Sequence, residues 1–189
     1  MKKIIYSAAG IFILSSAILF TQDVSQKGDA PIAIGINAES RKGVADLLQV
    51  LLANEYVLYT KTLNFHWNVQ TPHFFSAHAF FKEQYEQLFT IIDNVGERIR
   101  ALGIKTYGSL KDFSALATIK DESSLDLGFL AMVEVLLKDH EEIIRQLRHD
   151  QQTALDMNDQ GTNNFLIGIM EMHEKMAWML RAHLADKIL

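Results

Sequence analysis

The chain has 189 residues, 49% of them hydrophobic, with two prolines and no cysteine. That composition suits one helical globular domain and excludes disulfides, thiolate nucleophiles and thiolate metal ligands, so any metal must be held by nitrogen and oxygen. Eighteen basic residues against 23 acidic ones give a formal net charge of -5, which repels phosphate backbones and argues against DNA as a partner.

Residues 1–30 begin with Lys2 and Lys3, run apolar from Ile4 to Phe20 and then turn polar, the order of a secretory signal. The apolar run stands at the lower limit of the roughly 17–25 residues that a spanning helix needs, so a retained membrane anchor stays open as the alternative. The expectation is therefore a periplasmic or otherwise extracytoplasmic protein, touching membrane only if this segment is kept. Pro31 directly after Ala30 makes a cut there awkward, and no cysteine follows the run to carry a lipid. Losing residues 1–30 would remove Lys2, Lys3 and Lys27 but only Asp23 and Asp29, leaving residues 31–189 more acidic still.

Within residues 31–189 the spacing predicts a first long helix from Ser40 to about Asn68, where Val44, Leu47, Leu48, Leu51, Leu52, Val57 and Leu58 recur at helical intervals. Glu39 or Ser40 suits its start. Pro72 breaks the pattern because the residue before a proline is pushed out of helical angles. A second helix is expected from about His73 to Leu102, stopping at Gly103. The stretch that follows is long for a loop, and a short helix is expected near Leu110–Ala117. A third long helix should cover Ser124–Ala154, and a fourth should be capped by Thr162 and carry Phe165, Ile169, Met172, Met176, Met179 and Leu180. The fold class is therefore all-α, a four-helix bundle whose long middle connection suggests one crossover, as in ferritin-like bundles. No internal repeat or low-complexity segment appears.

The chemistry-bearing residues cluster around the first break. Asp93 and Glu97 are four apart, so their carboxylates share one helix face. The plain reading of that pair is a solvated surface balanced by Arg98 and Arg100. His78 precedes Asp93 by fifteen residues, roughly 22 Å along a helix axis, too far for one metal to take both from one chain. His66 and His78, by contrast, flank the Pro72 turn, where two imidazoles can meet. One economical arrangement reconciles these facts: a two-fold axis that lays two second helices antiparallel, bringing Asp93 and Glu97 of one chain to His66 and His78 of the other. Imidazole and carboxylate together suit iron(II), and also zinc or manganese. For His73, His149 and His183 a hydrogen-bonded core or surface role is the default. For His140 and His173, each followed by glutamate, it is ion pairing or helix-end hydrogen bonding.

An ordinary diiron bundle carries Glu-x-x-His on its own helices. The residues three before the seven histidines are Leu63, Gln70, Phe75, Leu137, Gln146, Met170 and Leu180, none acidic, which excludes an intrachain diiron centre of that type.

From about Ile34 to Leu189 the chain resembles the Dps family of mini-ferritins in "LLANEYVLYTKTLNFHWNV", "AHAFFKEQYEQL", "IDNVGERIRALG" and "GTNNFLIGIMEMHEKMAWMLRAHL". The resemblance implies four-helix subunits in a hollow dodecamer, with ferroxidase sites at two-fold interfaces. There, iron(II) is oxidised by hydrogen peroxide or oxygen and stored as ferric mineral, which protects against oxidative stress. It assigns His66 and His78 of one subunit and Asp93 and Glu97 of its mate as metal ligands. Trp67 is the nearby aromatic that could absorb stray oxidising equivalents.

Two departures stand out. Lys82 occupies the place, four residues after the second histidine, where the family has an acidic ligand. A protonated lysine cannot ligate, and Glu83 is turned about 100° away on the helix. Lys82 is instead expected to pair with Asp93 or Glu97 of the mate. This leaves an alternative: a ferroxidase-impaired Dps-like cage with a structural or iron-sequestering role. In "DMNDQGTNN", Asp156 and Asp159 are candidates for lining an iron-entry pore, but Asn164 stands where aspartate is expected, which weakens any electrostatic funnel. Some members of the family compact DNA, a role that fits poorly with this charge and with export.

Overall fold

The computed structural model describes residues 31–185, so the leader or anchor expected over residues 1–30 lies outside the described residues. Five helices and no strands appear among the described residues: α1 (Ala38–Asn68), α2 (Phe74–Ala101), α3 (Leu110–Leu116), α4 (Phe129–Asp156) and α5 (Gln160–Ala182). None of them is long and apolar enough to cross a membrane.

Local chemistry explains the boundaries, and it moves three of those expected. Asn37 caps α1, its side-chain oxygen accepting from the Ser40 backbone N–H, so the helix starts two residues before Ser40. Asp159, not Thr162, caps α5: the Thr162 backbone N–H is the donor in that bond, at 2.8 Å. Asn158 before it takes the left-handed conformation that asparagine tolerates, with φ at 61°, turning α4 into α5 within three residues. The third long helix begins at Phe129 rather than Ser124, because residues 124–128 continue the crossover as extended chain and bends. Gly103 does end α2, at φ +81°, where a Cβ would lie 2.6 Å from the Ile32 side chain.

The helices form two antiparallel hairpins, α1 with α2 and α4 with α5, around one core. Phe65, Phe81, Leu48, Leu58, Leu88, Leu136 and Leu147 are fully buried in it. Contacts of α2 with α5 fix the direction of the second hairpin. Gln84 reaches Met176, and Arg98, about four turns on, reaches Asp159 and Thr162 near the start of α5, so α2 and α5 are antiparallel. Since α4 is antiparallel to α5, it runs parallel to α2, and residues 102–128 must travel the length of the bundle.

Polar residues of α1 hold that crossover in place. Gln49 donates to the Lys105 carbonyl and accepts from the Tyr107 N–H. The Asn54 side-chain oxygen accepts from the backbone N–H groups of Thr118 and Ile119. Lys61 donates to the Lys120 carbonyl and forms a buried pair with Asp139 of α4. Tyr56 stacks on Phe113 of α3 at 4.1 Å. Polar positions on the inner side of α1 thus supply hydrogen bonds to the parts of the connection outside α3, whose own backbone has no helix or sheet to satisfy it.

Candidate metal centre

The break at Pro72 returns the chain so that the last turn of α1 faces the first turns of α2. There the two histidines lock one another. The Nδ1 atom of His66 lies 2.8 Å from the His78 carbonyl oxygen, and the Nδ1 atom of His78 lies 2.8 Å from the His66 carbonyl oxygen. A carbonyl can only accept, so each Nδ1 carries the proton and, in the neutral rings, each Nε2 is left as a lone-pair donor to a metal. The rings stack with centroids 3.7 Å apart. Phe74 stacks on His78 at 5.0 Å, and Tyr85 sets its ring edge-on to His66 at 5.2 Å, so aromatic groups hold both imidazoles. His66 is buried at 7% exposure, whereas Trp67 next to it is 67% exposed.

Asp93 and Glu97 lie exposed four turns further along α2, with no hydrogen-bond or ion-pair partner among the described residues. The expected neighbour Arg98 is turned away: its guanidinium donates to Asp159 at 2.8 Å and to Thr162 at 2.9 Å. The two carboxylates line an open cleft of about 480 Å³ together with Tyr56, Lys105 and Tyr107. Among the described residues no three histidine or carboxylate side chains converge as a metal-binding group within one chain. The single subunit therefore gathers the imidazoles at one place and the carboxylates at another.

Lys82 forms an ion pair with Glu86 one turn along its own helix and lies 5.6 Å from the Tyr85 ring centroid. Within the subunit its charge is thus already answered by a helix neighbour. Asp159 departs from its expected role: it is 1% exposed and fully engaged as the α5 cap and the partner of Arg98, so it cannot line a pore. Asp156 is exposed and accepts a bond from Gln152.

His140 and His173 also depart from expectation. The departure is one of place and of partner: His173 makes the expected pairing with a carboxylate, but with Glu55 in the core, and His140 meets His173 there instead of a carboxylate or a helix end. The sequence carried a signal for this in Glu55, which falls on the buried stripe of α1 between Leu51, Leu52 and Leu58. Tyr85 and Phe74, which hold the site histidines, carried no such mark, because aromatic residues recur through α2 from Phe74 to Phe89.

A ferritin-like domain matches residues 45–188. The DNA protection during starvation protein 2 of Bacillus anthracis is 38% identical over 76% of this chain and 97% of its own length. The chain belongs to the Dps family. A low temperature-induced protein of Nostoc sp. is 44% identical over 80% of this chain and 85% of its own. Among solved structures, the Dps protein of Vibrio cholerae O1, described as a member of a broad superfamily of ferritin-like diiron-carboxylate proteins, superposes with a TM-score of 0.78. It is 30% identical and covers 84% of this chain and 99% of that one. Family membership accounts for the Dps bundle and for the helix in its crossover.

Proposed function

We propose that the protein is a mini-ferritin that binds iron(II), oxidises it at sites shared between two subunits, and stores the ferric product inside a dodecameric shell. Iron is substrate and cargo here. His66 and His78 of one subunit would supply neutral nitrogen ligands, and Asp93 and Glu97 of the partner subunit the anionic ones, a donor set suited to iron(II). The reciprocal Nδ1–H bonds to carbonyl oxygens carry this reading, because in the neutral rings they turn both Nε2 lone pairs outward for a metal. Exposed apolar side chains support self-association: Trp67, Phe75, Phe89 and Leu110 are 67%, 86%, 59% and 77% exposed in the isolated subunit.

With hydrogen peroxide as oxidant, two iron(II) ions each give one electron, the O–O bond breaks and two hydroxide ions form. Oxygen is the alternative oxidant. Trp67, exposed beside His66, would take up one-electron equivalents that escape this two-electron course. The acidic composition and the leader-like start support an exported protein with no role in DNA compaction.

Lys82 favours a second reading, in which the cage sequesters iron without fast oxidation. It places a cation where a further anionic ligand would assist, and its partner Glu86 is a full turn away. Stopped-flow mixing of the assembled protein with iron(II) and peroxide separates the two. A rate well above buffer supports the first reading. A rate equal to buffer sinks it, and recovery in Lys82→Glu would assign the loss to that residue.

A further inference from the structure

Near the middle of the bundle three ionisable side chains from three helices meet without solvent: Glu55 of α1, His140 of α4 and His173 of α5 are each 0% exposed. His173 is the central member. Its Nε2 lies 2.9 Å from Glu55 Oε1, and its Nδ1 lies 2.9 Å from the Nδ1 of His140. Both ends of this chain are bare among the described residues, where Glu55 Oε2 and His140 Nε2 have no partner, and nor does Gln84 Oε1 of α2.

A nitrogen-to-nitrogen contact of this length holds one proton, neither two nor none. If His140 Nδ1 were the acceptor, a neutral His140 would carry its proton on Nε2, a buried N–H with nothing to receive it. Orphaned buried N–H groups are rarer than orphaned acceptors, because they lose a strong bond to water and gain none. The consistent placement has His140 Nδ1–H donating to His173 Nδ1, and His173 Nε2–H donating to Glu55.

We propose that Glu55, His173 and His140 form a buried hydrogen-bonded chain whose terminal ring, His140, takes no further proton while the fold is intact, and that this ring sets an acid limit on the fold. A further proton on His140 must sit on the partnerless Nε2. Charging both rings fully would set N–H against N–H.

Among the described residues no other buried charge is free to compensate. The other buried charged or titratable groups of α1 are Arg41, which donates to the Leu102 carbonyl, Lys61, which is paired with Asp139, and His66, which is bound to the His78 carbonyl. The buried face of α2 carries no charged residue. On α4, Asp139 is taken by Lys61 and Asp150 by Gln146 and His149, and on α5 His173 is the one buried titratable group. Burial first, and the neighbouring His173 second, hold His140 well below its ordinary pKa.

The folded pKa lies below the unfolded value, so the unfolded chain takes up this proton first as pH falls. Stability from His140 is whole above the ordinary histidine value of about 6.5 and is lost below it, by about tenfold in the folding equilibrium per pH unit.

His140→Asn keeps a side-chain N–H for His173 and cannot titrate. Urea unfolding of the full chain, followed by circular dichroism at steps from about pH 7 to about pH 4, should show a pH dependence shallower in the variant by about tenfold per unit. Equal slopes overturn the proposal. Should the variant not fold, neutron diffraction of the unaltered protein near neutral pH decides: one proton between the two Nδ1 atoms and none on His140 Nε2 is expected, and a proton on that Nε2 overturns it.

Discussion

His66 and His78 donate from Nδ1 to each other's backbone carbonyl, both at 2.8 Å, across the turn that joins α1 to α2. Because the acceptors are backbone atoms, each ring stays oriented when the other side chain is removed. His78→Ala should therefore leave the fold intact and weaken iron(II) binding by at least about tenfold, the lower end of what even an indirect metal partner is worth. Anaerobic calorimetric titration of the assembled protein checks this, and unchanged affinity would remove His78 from the ligand set.

Trp67 and Trp178 are the two tryptophans of the chain, and both are largely exposed in the subunit, at 67% and 64%. Since Trp67 adjoins His66, iron(II) at the proposed site should quench its fluorescence. The Trp178→Phe variant isolates that signal. Quenching that saturates together with iron binding is expected, and emission indifferent to iron places the metal elsewhere.

Asn54 receives the backbone N–H groups of Thr118 and Ile119 at 2.7 and 3.3 Å. Asn54→Leu keeps the volume but orphans both donors, each costing about 1–3 kcal/mol when buried. A loss of about 2–4 kcal/mol is expected in denaturant unfolding, with faster amide exchange confined to the crossover. Uniform exchange along the chain would show that Asn54 does not hold this segment.

Asp159 closes the α4–α5 turn by accepting from the Thr162 N–H and from Arg98. Asp159→Ala removes a helix cap worth about 0.5–2 kcal/mol and leaves the partly buried Arg98 without its carboxylate. The expected fall in Tm is about 4–8 °C, corresponding to about 2 kcal/mol in a chain of this size. Asp159→Asn, which keeps the cap and loses the charge, should fall about half as far.

The helices were legible because each obeys local rules: apolar spacing, the Pro72 break and the stop at Gly103 are read within a few residues of where they act. The boundaries that moved were those decided by competition. Asn37, Ser40, Asp159 and Thr162 can all cap, and only the backbone path selects which side chain reaches an N–H three residues on. Asp159 looked like a pore residue for the same reason, since its binding to Arg98 joins positions 61 apart in the chain.

By itself the sequence determined the bundle, the family and the division of the candidate site, since helical rise alone keeps His78 and Asp93 from sharing one metal within a chain. Only the tertiary structure decided which histidines matter to which task. The same residue type locks onto carbonyls at His66 and His78 and onto a buried carboxylate chain at His140 and His173. The physical reason is that a histidine's tautomer and charge follow from the donors and acceptors around it, and those are brought together by packing between helices distant in sequence.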